Sequence, residues 1–224
     1  MTHQPLRLHY APDNASLCIR LACELLDIPY QTVLVDRASR AQDSAAYRAL
    51  NPAGLIPVLE TDDGPVFETA AILIWLANRY PGQLMPAPAT TGEAAALSWL
   101  LWLANTLHPT LRMTFYPAQY MPDAPDDFRA AMQRRLSSHL HLLDRHATTL
   151  HPVHHCYLAP MLRWTSLYGD NAGWFTLTDY PRLHDLARQC EVSAHARRAA
   201  QAEGLGDTPF SAPRLANPPE GSAT

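Results

Sequence analysis

Two short segments of this 224-residue chain carry residue types suited to gripping a small peptide. The first is Asn51-Pro52-Ala53-Gly54-Leu55-Ile56-Pro57-Val58-Leu59. It reads as a loop feeding a short buried strand, with Pro57 at the strand's first position. A proline there donates nothing to a ladder. With a cis bond before it, the Ile56 backbone turns outward, its N–H and C=O free to pair with another chain. The second segment is Gly64-Pro65-Val66-Phe67-Glu68-Thr69-Ala70-Ala71-Ile72-Leu73. It sets a carboxylate, Glu68, and a hydroxyl, Thr69, at the start of an apolar helix. Exposed amide donors at such a helix start favour a ligand carboxylate. Together the segments are parts for holding a small peptide by its backbone and its acid end.

The elements that must position these residues follow from periodicity. Residues 6–10 alternate as a strand, and residues 14–26 carry helical spacing through Leu17, Leu21 and Leu25. Residues 30–35 read as a second strand and 43–50 as a short helix. Residues 56–60 and 65–67 pair as a hairpin around Asp63-Gly64. A helix over 68–80 puts Ile72, Leu73, Trp75 and Leu76 on apolar faces. This order fits a small sheet flanked by helices. Residues 81–89 are rich in proline and alanine and read as a linker. Beyond them the pattern is helix only, over 92–116, 125–149, 157–168, 180–190 and 193–203. Ser193 suits an N-cap and Gly204 a C-terminal stop. The expected fold class is therefore α/β plus all-α. Its units are 1–80, a linker at 81–89, a helical domain at 90–205, and a proline-rich tail at 206–224 that lies along the surface or frays.

Composition removes several function classes. The net charge is −4 and no basic run stands out, which argues against nucleic acid as a partner. No stretch approaches the roughly 18 apolar residues of a membrane span. The first residues, Met1-Thr2-His3-Gln4-Pro5-Leu6-Arg7, lack a secretory pattern, so the expected location is the cytoplasm. Cys18, Cys23, Cys156 and Cys190 are irregularly spaced and do not suggest a disulfide framework. All 17 basic residues are arginine, so Schiff-base, pyridoxal phosphate and P-loop chemistry drop out. His139, His141, His146, His151, His154 and His155, with Cys156, are metal-capable types. A polar helix face accounts for the first three and no second closed pair follows, so no metal is expected.

The run Asn-Pro-x-Gly-x-x-Pro-Val-Leu followed by Glu68-Thr69 resembles the glutathione S-transferase family, of the bacterial, cytosolic type. Tyr157-Leu158-Ala159-Pro160-Met161-Leu162-Arg163-Trp164 looks like the core helix of its bacterial members. The resemblance implies a thioredoxin-like N-terminal domain, a C-terminal helical-bundle domain and a homodimer. It implies glutathione as co-substrate, its thiolate adding to a small electrophile. A non-catalytic binding or interaction protein on the same fold is the alternative, and a glutathione-dependent isomerase or reductase a third reading.

The same resemblance implies roles for particular residues. The Ile56 backbone, with Pro57 behind it, would pair with the cysteinyl part of glutathione, and Glu68 and Thr69 would hold the γ-glutamyl group. A free thiol has a pKa near 8.5, so a donor is needed to favour the thiolate at neutral pH. Family members place that donor just after the first strand. Here Ser16 is the first choice, as the only hydroxyl in the turn; the competing role is a helix cap. Tyr10 is the alternative donor, and Asn14 either caps the helix or donates. The electrophile pocket would lie between the halves, with Trp99, Trp102, His108, Arg112 and Tyr116 as candidates, though an aromatic row at helical spacing also suits a core. The chain departs from the pattern twice. Ala15 stands where bacterial beta-class members carry cysteine, which counts against mixed-disulfide chemistry. Pro152, Val153, His154 and His155 stand where the family has a Ser/Thr-x-x-Asp capping box.

Overall fold

The computed structural model describes residues 5–169 and 173–223. Residues 1–4, 170–172 and 224, which the expected units include, lie outside the described residues. The first half is a four-stranded sheet of β1 (Leu6–Tyr10), β2 (Tyr30–Leu34), β3 (Val58–Thr61) and β4 (Gly64–Phe67), in the order β2-β1-β3-β4. β1 and β2 run parallel, Leu6 beside Tyr30. β3 is antiparallel to both β1 and β4, with Val58 opposite His9 and Phe67. Three helices serve the sheet: α1 (Ser16–Leu25), α2 (Ala45–Leu50) and α3 (Thr69–Arg79). This is a thioredoxin-like unit. The Ile56–Pro57 peptide bond is cis. The strand starts two residues later than the 56–60 reading, so Ile56 and Pro57 belong to the loop.

The second half is helical: α4 (Glu93–Trp102), α5 (His108–Phe115), α6 (Pro117–Tyr120), α7 (Pro125–His146), α8 (Pro152–Leu167), α9 (Pro181–Glu191) and α10 (Ala194–Glu203). The single helix expected over 92–116 is interrupted by a π segment, Leu103–Leu107. Pro109 supplies the reason: it has no N–H to give, and its ring crowds the carbonyl four residues back. Widening the turn relieves this, and the His108 N–H reaches the Leu103 carbonyl instead. The residues between α3 and α4 are pinned rather than loose. Leu84 and Met85 are buried, and the Leu84 carbonyl accepts the Val153 N–H at 2.9 Å. No helix among the described residues is long and apolar enough to cross a membrane.

α8 begins five residues before the expected 157, and the reason answers the missing capping box. His154 is fully buried. Its Nδ1 accepts the His151 N–H at 2.8 Å, and its Nε2–H donates to the Ala96 carbonyl of α4 at 2.8 Å. An imidazole thus does what an acidic N3 residue does in a capping box, and ties α8 to α4 besides. Only the neutral ring offers one acceptor and one donor. Burial pushes its pKa down to about 4.

α1 is the centre of the molecule. Ser16 through Cys23 are all buried, between the sheet half and helices α8 and α10. The tail returns along the surface to the sheet half. Phe210 is buried, and Glu191 accepts the Phe210 and Ser211 N–H groups. Further on, Tyr10 donates to Glu220, and Arg37 donates to the Ala223 carbonyl at 2.8 Å. Gly221 takes φ +73°, which favours glycine, and a Cβ there would also push on the end of the Leu34 side chain.

Candidate functional site

Parallel β1 and β2 and the antiparallel entry into β3 bring three features to one end of the sheet. These are the β1–α1 turn, the loop before Val58, and the start of α3. Ile56 sits in that loop, and among the described residues its backbone N–H and C=O have no hydrogen-bond partner. The loop's shape comes from Asn51 and Tyr47, which both donate to the Leu55 carbonyl, at 2.7 and 2.9 Å. Asn51 Oδ1 also accepts the Ala53 N–H at 3.0 Å.

Glu68 is exposed and takes φ +73°, ψ +121°. A non-glycine residue pays of order 1–3 kcal/mol for such a conformation, which makes it an informative outlier. Its side chain does not cap α3, and no other side chain does so. Thr69 is buried beneath it, beside the Tyr157 hydroxyl. Tyr157 lies 2.9 Å from His108 Nδ1. Burial keeps the phenol protonated and pushes His108 down to about 4, with Arg112 adding to the latter shift. The phenol therefore donates to a neutral imidazole.

The β1–α1 turn is held from three sides. Asp13, at φ +50°, has a fully buried carboxylate. It accepts Arg163 Nε and Nη2 at 2.8 Å each, Trp164 Nε1 at 2.9 Å and Tyr168 Oη at 2.6 Å. Its N–H donates to Glu203 Oε2 at 2.8 Å, and Glu203 Oε1 accepts Arg20 Nε at 2.7 Å. Arg163 also donates to the Pro209 and Arg214 carbonyls of the tail. Charge-assisted, bidentate bonds of this kind are the strong ones.

Ser16 is fully buried. Its hydroxyl donates to the Ala11 carbonyl at 3.0 Å and accepts the Ala11 N–H at 3.3 Å, and the α1 N-cap is Ala15. Tyr10 is buried too, with Arg20 over its ring and its hydroxyl given to Glu220; burial and that carboxylate raise its pKa. Asn14 differs. Its Oδ1 accepts the Ala15 N–H at 2.7 Å, which turns its Nδ2 away, half-exposed and without a bonded partner among the described residues. Ala15 and the residues that hold this turn thus leave one free side-chain donor at the start of α1.

The candidates on the long helix divide. His108, Arg112 and Tyr116 are four residues apart and share one face of α5 and its end. The His108 ring meets Tyr157 and Trp164 of α8. Trp102 instead packs on His139 of α7 and on Trp99, and Trp99 packs on His146. The structure does not bring Trp99 and Trp102 together with the His108 row. No group of three or more metal-ligating side chains occurs among the described residues. The residues missed by sequence reasoning are Asp13 and Arg163. Arg163 showed only as a charged residue inside an apolar helix, and Asp13 only as an acidic residue in the turn before α1.

The sequence matches the family "Glutathione S-transferase, N-terminal domain" over residues 15–79. It is 26% identical over 210 residues to a glutathione S-transferase of Xanthomonas campestris pv. campestris, covering 89% of this chain and all of that one. It is 30% identical over 183 residues to glutathione S-transferase 3 of Zea mays, covering 78% of this chain and 74% of that one. Among solved structures, a sphingomonad glutathione S-transferase complexed with glutathione is 26% identical. It superposes with a TM-score of 0.74 over 89% of this chain and 100% of that one.

Proposed function

The chain belongs to the glutathione S-transferase family, and on that premise we propose that it binds glutathione and adds its thiolate to a small electrophile. The observation that carries this reading is the open corner at the sheet's end. There the Ile56 backbone, just before Pro57, has no hydrogen-bond partner among the described residues, and an exposed, positive-φ Glu68 opens an uncapped α3. Ile56 pairs with the cysteinyl residue of glutathione, Pro57 fixing the approach. Glu68 takes the γ-glutamyl ammonium, and Thr69 with the first α3 amides takes its carboxylate. That a relative at 26% identity is known with glutathione bound supports the assignment.

Asn14 is the donor to the sulfur in this reading. The two hydroxyls are spent within the protein, Ser16 on Ala11 and Tyr10 on Glu220, while the Nδ2 of the part-exposed Asn14, just before α1, has no partner among the described residues. Electrophiles enter along His108, Arg112 and Tyr116. The active form is a cytoplasmic homodimer, for which sedimentation at twice 24.9 kDa is expected; a monomer at micromolar concentration would sink that part.

The test has two arms. Glu68→Ala is expected to weaken glutathione binding by about 1.5–3 kcal/mol, the range for a hydrogen bond to a charged group. Calorimetry reads it, and unchanged affinity in a folded variant removes the γ-glutamyl assignment. Asn14→Ala is expected to raise the bound thiol's pKa by about one unit, or about 1.4 kcal/mol, with glutathione affinity nearly intact. Turnover of a generic aryl halide near neutral pH then falls roughly tenfold. Titrating the thiolate in wild type, Asn14→Ala, Ser16→Ala and Tyr10→Phe separates the three donors. A shift seen only in Ser16→Ala or only in Tyr10→Phe overturns the Asn14 assignment.

A further inference from the structure

We infer that Arg112 selects electrophiles carrying a carboxylate, so that the favoured substrates are anionic aromatic or conjugated compounds. This rests on the transferase reading and names its substrate class.

Most arginines here are accounted for by partners or by exposure. Among the described residues Arg79, Arg134, Arg135, Arg188 and Arg197 have no ion pair but are exposed. Arg112 is half-buried and, among the described residues, has no carboxylate or carbonyl partner for its guanidinium. Its guanidinium lies over the face of Tyr116, 5.6 Å from the ring centroid. A half-desolvated guanidinium without an anion is an unfilled bidentate site, and its planar fork matches a carboxylate.

The surroundings fit such a ligand. One turn before it stands His108, neutral and bonded to Tyr157 beside Thr69. On the other side, Phe115 packs on Tyr168, whose hydroxyl binds Asp13, next to Asn14. The row therefore lies between the two edges of the proposed glutathione site. Asp13, the carboxylate nearest the Tyr168 side of the row, is already held by Arg163, Trp164 and Tyr168. Tyr116, over which Arg112 lies, is 42% exposed and offers a ring face to an aromatic substrate.

The probe reaction balances simply. The glutathione sulfur forms a bond to the ring carbon of an aryl chloride, and chloride leaves with the carbon–chlorine pair. The thiol proton has already gone to solvent.

The experiment compares 4-chloro-3-nitrobenzoate with the neutral 4-chloro-3-nitrobenzamide, each corrected for its uncatalysed rate with glutathione. In wild type the kcat/KM ratio of benzoate to benzamide is expected to exceed ten. In Arg112→Met it falls at least tenfold, and Arg112→Lys keeps part of it. A merely structural role would lower both substrates together and leave the ratio unchanged. Either that outcome or a wild-type ratio near one overturns the inference. Equilibrium binding of the two compounds by tryptophan quenching, without glutathione, gives the same ratio independently of turnover. Failure of glutathione to bind therefore sinks the transferase reading alone, and the ratio still decides this one.

Discussion

Asp13→Ala is expected to lower the unfolding free energy by about 3–5 kcal/mol, the cost of stranding one member of a buried ion pair. The substitution leaves the Arg163 guanidinium at zero exposure without an anion, and frees the Trp164 and Tyr168 donors besides. It also takes the side-chain anchor from a residue held at φ +50°. Urea unfolding followed by tryptophan fluorescence reads the loss. Tyr168→Phe, which removes one hydrogen bond to the same carboxylate, is expected to cost about 1.5–3 kcal/mol, because that acceptor is charged. Should Asp13→Ala unfold within 1 kcal/mol of wild type, the Pro209 and Arg214 carbonyls alone satisfy Arg163.

The second large effect is a pH dependence. The folded chain holds His154 neutral, with a pKa pushed down to about 4, against about 6.5 unfolded. In that interval the unfolded chain binds more protons, so stability falls as pH falls. The contribution is intact above pH 6.5 and lost progressively down to about pH 4. At about 1.4 kcal/mol per unit it sums to roughly 3 kcal/mol. His108, also pushed down to about 4, acts with the same sign. Burial pushes Glu203 up to about 7, which acts with the opposite sign, being lost as pH rises through that range. The quantity to read is therefore the difference between wild type and His154→Gln. Glutamine retains an acceptor for the His151 N–H but does not titrate. The variant is expected to show a flatter loss of unfolding free energy between pH 6.5 and 4.5. Parallel pH profiles would mean that His154 does not titrate with unfolding.

The order of elements was legible because it rests on local pattern: period-two alternation in residues 6–10, and the apolar spacing of Ile72, Leu73 and Leu76 behind Glu68-Thr69. What escaped depends on partners far away in the chain. The α8 cap could not be found from residues 151–155, since the ring that completes it is oriented by the Ala96 carbonyl, 58 positions away. The π segment was missed because Pro109 reads as a break or a helix interior with equal ease. The choice among Ser16, Tyr10 and Asn14 was open for the same reason. All three stand in one turn, and what separates them is the Ala11 backbone and a glutamate 210 positions downstream of Tyr10. Arg112 was visible as a candidate, but its lack of an anion is a property of the folded neighbourhood.

The clamp on Asp13 also fixes an order in time. A hairpin such as β3–β4 forms in about 1–10 μs, so it can pair as soon as it leaves the ribosome. Asp13 then waits for Arg163, 150 positions later, and for Glu203, 190 positions later. At about 5–20 residues per second that is a delay of roughly 10–40 s. Throughout it the turn is held only by its local bonds, those of Ser16 to the Ala11 backbone and of Asn14 to Ala15. The newborn protein thus acquires its shape at one end and its site from the other.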